Sequence, residues 1–431
     1  MKKFLSLALA AVLLLGTVSL LGGCSQSSGS SAPSGSSDGQ TSGQDVVLSF
    51  VRNGSDQAET DYWLSLIEIF EEDHPGIKVQ YDDAAIGESL DTKLNTQFAS
   101  GAGPDLIGNG ILSVANRVEM GHYQPITSYF NSWEGKDDLM ESVLANGSYK
   151  DEVYGLAYST TPYLFAYRKD YFEQAGLDPE SPPANWDQLK EYALKLTVKD
   201  GDQITRAGFA FPMSAGNFVE YDIFVFGNGG MFYDDAGNPT LDTPEKAEAF
   251  EFLMSFLDEV NLPYNSNEVN PFLNGNAAMT LINNVTLTPM LKDEAYKDKV
   301  GIAFPPYNTT KANFSGCNML FVGRDCQNVD AAFSFIAATL SKDEVLRRAE
   351  ELFIPVVRSS LVDEYAAMDP MNAVRAECVE YGIGMPLTTW STLFQKVRNN
   401  MVQEVIYSKS SPQQALTDAQ KELENEIAAQ S

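Results

Sequence analysis

Two histidines, four cysteines and 59 acidic residues are the groups of this 431-residue chain that could carry catalysis or hold a metal. His74 precedes Pro75-Gly76 at a helix stop, and His122 lies in a Gly-His-Tyr turn, so the two share no metal-ligand spacing. No Cys-x-x-Cys, no phosphate-binding P-loop and no Gly-x-Gly-x-x-Gly occurs. The one Gly-x-Ser-x-Gly match, Gly35 to Gly39, lies in a Ser/Gly tract where no rigid turn holds the serine up for attack. Asp234-Asp235-Ala236-Gly237-Asn238 has the residue types of a calcium loop, but the same residues favour a plain turn between short strands. With 59 acids, carboxylate pairs suited to glycosidic acid–base work arise by number alone and carry no signal. Nothing here points to catalysis, to a metal or to a cofactor.

Cys24 is different, because its neighbours supply a context. Lys2-Lys3 precede Phe4–Leu21, which is apolar but for Ser6, Gly16, Thr17 and Ser19. Charge followed by an apolar run is the order of a secretory signal. The run ends in Leu21-Gly22-Gly23-Cys24, which looks like a bacterial lipobox, where the cysteine becomes the first mature residue and carries the lipid. Acyl chains hold such a protein to the bilayer by about 0.8 kcal/mol per buried CH2. The competing reading is an uncleaved membrane anchor, since the run is near spanning length. Residues 24–44 follow with nothing larger than alanine or proline among their apolar residues, too little to repay ordering. The expectation is a signal over 1–23, lipidation at Cys24, a flexible tether over 24–44, and residence on the outer face of the cell membrane. The other three cysteines, Cys317, Cys326 and Cys378, are an odd number, which excludes a full disulfide framework. A Cys317–Cys326 pair and three free buried thiols both stay open.

The elements that would position a site are those of an α/β chain. Val46–Val51 is a continuous apolar run, as for a strand covered on both faces. Trp63, Leu66, Ile67 and Phe70 then fall at helical spacing, and Ile77–Tyr81 reads as a second strand, giving a right-handed parallel β-α-β unit. Helix starts recur: Asn185 before Trp186, Thr243-Pro244, Ser341 with Glu344, and Ser411-Pro412. The chain is 44% hydrophobic, and residues 45–431 suffice for two or three domain equivalents. A formal charge of −30 repels nucleic acid and anionic headgroups, so no nucleic-acid partner is expected.

Two blocks are more specific. "TQFASGAGPDLIGNG" and "VYGLAYSTTPYLFAYRKDYFEQAGLDPESPPANWDQLKEYALKLT" resemble the extracellular solute-binding proteins of ABC importers, in the sugar-binding class that includes maltose-binding protein. "FLNGNAAMT" and the segment from Thr388 to Glu424 carry the same resemblance, which spans nearly everything after the tether. It implies a two-lobed α/β fold of the periplasmic-binding-protein type II class, with the ligand between lobes that close by hinge motion. The crossings are expected near Ser159–Leu164, Phe321–Gln327 and Phe353–Val356. The lobes would then be residues 45–159 with 327–353, and residues 160–321 with 356–431. Implied partners are a carbohydrate ligand, a membrane permease pair and its ATPase, the protein itself being a monomer.

A sugar presents apolar C–H faces and a ring of hydroxyls, so its site needs aromatic platforms and fixed polar groups. The chain is 11% aromatic. Polar residues follow the carboxyl end of the first strand, where open α/β sheets bind ligands. Matched to the family's cleft, Arg52, Asn53, Glu59 and Asn109 are nominated from the first lobe. Asn217, Phe218, Tyr221, Asn283, Asn284 and a stacking Trp390 are nominated from the second. Each has a bland alternative: Trp390 shares a stripe with Leu393, Phe394 and Val397, Phe218 and Tyr221 suit a core, Arg52 suits an ion pair, and the asparagines suit turns. The family often has Trp near Asn109 and at Val285, and without those two platforms a maltodextrin fits poorly. Two other roles stay open: a surface enzyme acting on polysaccharide, and a ligand-sensing partner of a membrane receptor.

Overall fold

The structure, a computed structural model, describes residues 45–54, 57–84, 88–211, 218–257, 259–261, 270–408 and 410–430. The signal, Cys24, the tether and Asn217 lie outside the described residues.

Eight strands form one continuous sheet: β1 (Val46–Asn53), β2 (Ile77–Ala84), β3 (Leu106–Gly110), β4 (Gly155–Arg168), β5 (Met279–Asn283), β6 (Val300–Ala303), β7 (Asn313–Val322) and β8 (Gly382–Ile383). The order is β6-β4-β7-β3-β1-β2, with β5 on β4 and β8 on β7. The expected β-α-β unit is present: Val46 to Asn53 run parallel to Ile77 to Ala84 in register. β3 joins β1 on its other side, also parallel. Gly108 is required there, because a Cβ at this position would lie 2.6 Å from that of Arg52.

Eleven helices matter for the site. They are α1 (Gln57–Asp73), α2 (Glu88–Ala99), α3 (Trp186–Leu196), α4 (Val219–Gly227), α5 (Pro244–Met254), α6 (Asn284–Lys292), α7 (Val329–Thr339), α8 (Lys342–Leu352), α9 (Met371–Glu380), α10 (Ser391–Ser408) and α11 (Pro412–Gln430). Their starts follow the sequence signals. The Asn185 side chain accepts from the Gln188 amide at 3.0 Å, and Pro244 occupies the first turn of α5. At α8 only half of the expected capping box forms. Ser341 Oγ accepts from the Glu344 amide at 3.3 Å, while the Glu344 carboxylate turns instead to Tyr62 Oη at 2.9 Å and to Arg347.

β4 explains how one sheet serves two lobes. From Gly155 to Pro162 it pairs with β7, and from Tyr163 onward with β5 and β6. Pro162 stands at the change, where a residue with no N–H to give costs the ladder least. β7 also spans both halves: Asn313 pairs with β8, whereas Asn318 to Val322 pair with β3. By Phe321–Gln327, then, this strand is already within the β1–β3 half. The helices covering the two halves complete a two-lobed α/β fold. A main core runs through both, from Trp63 and Phe70 to Phe224 and Phe250, and a smaller one lies under β5 and β6 around Leu164, Ile282 and Ile302.

Candidate functional site

The carboxyl ends of β1 and β3 open onto a cleft, as parallel strands of an α/β sheet dictate. Two adjoining cavities of about 600 and about 630 Å3 share Ile111, Leu112, Thr161 and Asn318. Each is of ligand size. The first lies between Glu59 and Ala58 at the start of α1 and, opposite, Val219 of α4, Asn283 and Val285 at α6, and Gln395 of α10. The second is rich in carboxamides, with Asn53, Asn95, Asn109, Asn116 and Asn318 on its wall. Carboxamides offer a donor and an acceptor in one group, which suits hydroxyls.

Four of the nominated residues fall together on these walls: Asn53 and Asn109 in the second cavity, Glu59 and Asn283 in the first. Asn109 is held by Tyr123 Oη at 3.3 Å and by its own neighbour, the Gly110 amide, at 2.8 Å. Asn283 caps α6, its Oδ1 accepting from the Thr286 amide at 2.8 Å. Arg52 stands behind Glu59, fully buried, its Nη2 at 2.6 Å from that carboxylate and its Nη1 donating to Tyr81 Oη at 3.1 Å.

Four others do not reach the cleft. Phe218 and Tyr221 have no exposed surface, and Tyr221 packs 5.1 Å from the Phe250 ring and 6.1 Å from that of Phe232. Both are core residues: Phe218 immediately precedes α4, and all nine residues of that helix, Tyr221 among them, are buried. Trp390 is 5% exposed, stands edge-on to Phe394 at 6.2 Å, and lines neither cavity. Its ring joins the stripe of α10 rather than leaning out. Asn284 is also buried, its carboxamide spent on Phe353 and Arg375.

The aromatic surface that the cleft does possess comes from residues that the sequence reading passed over. Tyr163 of β4 and Phe314 of β7 both line the first cavity, edge-to-face at 5.8 Å and 80°. Burial, then the nearby Glu220 carboxyl, holds the Tyr163 phenol well above the usual range, while a hydrogen bond from the Asn283 side chain opposes the shift. Tyr163 stays a neutral hydroxyl. Its only sequence signal is the Thr-Thr-Pro-Tyr stretch where β4 changes partners.

Charge in the cleft is largely neutralised within the protein. Glu59 pairs with Arg52, Asp91 with Arg117, and Glu351 with Arg347. Lys292 rests its ammonium 3.7 Å over the Phe353 ring. The Cys317 thiol, at the second cavity, is pushed up to about 12 by burial and is no nucleophile at neutral pH. Cys317, Cys326 and Cys378 are all free, buried thiols. Asp234 accepts from the Ala236 and Asn238 amides, so this loop is a closed turn. Among the described residues no group of three or more His, Cys, Asp or Glu could hold a metal, and no helix is long and apolar enough to cross a membrane.

A cleft of this kind between two α/β lobes belongs to the solute-binding class of proteins. The family of bacterial extracellular solute-binding proteins matches over residues 54–345, and the chain belongs to it. A putative binding protein of Brucella abortus is 26% identical over 372 residues, covering 83% of this chain and 88% of its own. A maltotriose-binding protein of Pyrococcus abyssi is 25% identical over 342 residues, covering 76% and 70%. In fold, the chain is similar to the crystal structure of a cyclic α-maltosyl-1,6-maltose binding protein of Arthrobacter globiformis, with a TM-score of 0.80 at 18% identity, covering 90% of this chain and all of that one. The family is one of extracellular solute-binding proteins, and both curated relatives are named as binding proteins, one of them for maltotriose.

Proposed function

We propose that this protein captures a neutral sugar or small oligosaccharide in the interlobe cleft and delivers it to the permease pair and ATPase of an ABC importer. One observation carries the reading. Asn318 stands where the two cavities meet, on a strand shared by both halves of the sheet, and its side chain makes no hydrogen bond to any other described residue. Around it, the carboxamides of Asn53, Asn95, Asn109 and Asn116 line the second cavity, Tyr163 and Phe314 line the first, and Leu112 and Ile111 line both. That is the mixture a ring of hydroxyls on an apolar body requires. The paired carboxylates favour an uncharged ligand over a phosphorylated one.

In this reading Asn53, Glu59, Asn109 and Asn283 contact the ligand, Arg52 holds Glu59, and Tyr163 and Phe314 take the platform role first assigned to Trp390. The lobes trade chain where β4 and β7 change partners, and they close on the sugar. Cys24 carries the lipid that keeps the monomer at the outer face of the membrane, with residues 24–44 as its leash. The test is a thermal-shift screen against neutral mono-, di- and trisaccharides, run beside a reducing-end assay on polysaccharides. A sugar present at a hundred times its Kd adds about 2.7 kcal/mol to stability. Stabilisation without turnover supports capture, whereas sustained release of reducing ends would make the protein an enzyme.

A further inference from the structure

Asn284 was nominated as a ligand contact, and its burial at 1% exposure removes it from that role. Its bonds suggest another. Asn284 Nδ2 donates to the Phe353 carbonyl at 2.8 Å, and its Oδ1 accepts from Arg375 Nε at 2.9 Å. Asn284 begins α6, which follows β5 in the half of the sheet that β4 reaches after Pro162. Phe353 ends α8, which packs on α1 and α7 in the β1–β3 half. The residues on either side of both partners line the first cavity: Asn283 and Val285 about Asn284, Leu352 and Ile354 about Phe353. A single buried carboxamide therefore ties one wall of the cleft to the other.

The backbone at the tie is unusual. Phe353 has φ 59° and ψ 28°, the left-handed region, which a bulky residue keeps only where its surroundings hold it. Those surroundings are the Asn284 bond to its carbonyl and the Lys292 ammonium over its ring, both from α6. Arg375 is equally constrained. It is 4% exposed, donates to Asn372 Oδ1 at 2.6 Å as well as to Asn284, and forms no ion pair with a described carboxylate.

We propose that Asn284 is a positioning residue for ligand binding. It is a clasp between the lobes that fixes the spacing of the two cleft walls and about which they turn. This rests on the cleft being the binding site, but the clasp itself is readable without ligand. Asn284→Asp separates its two bonds. The carboxylate still accepts from Arg375 and gives that buried cation a charge partner, while an oxygen now faces the Phe353 carbonyl where a donor stood.

The experiment compares full-length wild type, Asn284→Asp and Asn284→Ala by hydrogen exchange and thermal melting, then by titration with the neutral sugar that most stabilises the wild type. Asn284→Asp should melt within a few degrees of the wild type. Its amides over residues 352–356 should exchange about two- to tenfold faster, the opening expected from one lost hydrogen bond, with β1 unchanged. Its sugar affinity should fall by a similar factor although no ligand contact was removed. Asn284→Ala should show the same exchange with a lower melting temperature. Wild-type exchange over 352–356 in both variants would overturn the clasp, and so would global unfolding of both, since loss of a tie between the cleft walls leaves the main core intact. If no sugar stabilises the wild type, the binding reading fails while the exchange result still judges the clasp.

Discussion

The Arg52 guanidinium meets the Glu59 carboxylate at 2.6 Å, joining the end of β1 to the first turn of α1. Arg52 is 1% exposed and its partner 23%, so the cation is a buried support and the carboxylate is the part that faces the cleft. An acid in the first turn of α1 also suits the positive end of that helix.

Removing the carboxylate breaks this ion pair of a buried cation. Glu59→Ala should cost about 1–3 kcal/mol, read as a lower denaturant midpoint with an unchanged slope. A midpoint equal to that of the wild type would mean that Arg52 does not depend on Glu59.

Trp390 separates core from cleft in one variant. The ring is buried against Phe394, so Trp390→Ala should lose about 3–5 kcal/mol of stability. Sugar affinity, measured where the variant is folded, should stay near the wild-type value. A normal melting temperature with weakened binding would return Trp390 to the site.

Glu220 makes stability depend on pH in a direction opposite to most carboxylates. It is 2% exposed, and burial pushes its carboxyl up to about 8 from an ordinary 4.5. Between those values the folded chain holds a proton that the unfolded chain has released. This contribution is therefore complete below about 4.5 and is lost as pH rises towards 8. Asp222, two residues on, is pushed up the same way by burial, to about 7, although Arg398, whose Nη1 donates to it at 2.5 Å, opposes the shift. Glu220→Gln, neutral at every pH, should melt with a shallower decline between pH 5 and pH 8 than the wild type. Identical pH slopes for the two proteins would show that Glu220 is ionised in the fold.

The elements were largely legible in the sequence, because they depend on neighbours: the β1-α1-β2 unit from apolar runs and spacing, and the helix starts from Asn185, Pro244 and Ser341. Asn53 and Glu59, which line the cavities, follow the carboxyl end of β1, whereas Asn109 was nominated through the family resemblance alone. Helical spacing could not sort Phe218 and Tyr221, since α4 is buried on every side and has no polar face to orient it. Trp390 shows the same limit: a stripe tells which residues point together, not what covers them. Tyr163 and Asn318 were missed for a different reason. They lie where β4 and β7 change partners, a place fixed by pairing between strands about 150 residues apart, and local pattern does not encode it. Resemblance placed Asn284 near the ligand, but only its bonds to Phe353 and Arg375 show it turned inward.

The measurement that bears most directly on the cleft as the binding site is calorimetric titration of wild type and Asn318→Ala with the neutral sugar that most stabilises the wild type. Asn318 joins both cavities and spends no hydrogen bond within the described protein, so its loss should spare the fold. The account predicts an unchanged melting temperature without sugar and a Kd raised about tenfold, the worth of one to two well-placed hydrogen bonds. An equally stable variant that binds the sugar as tightly as the wild type would put the ligand somewhere other than this cleft.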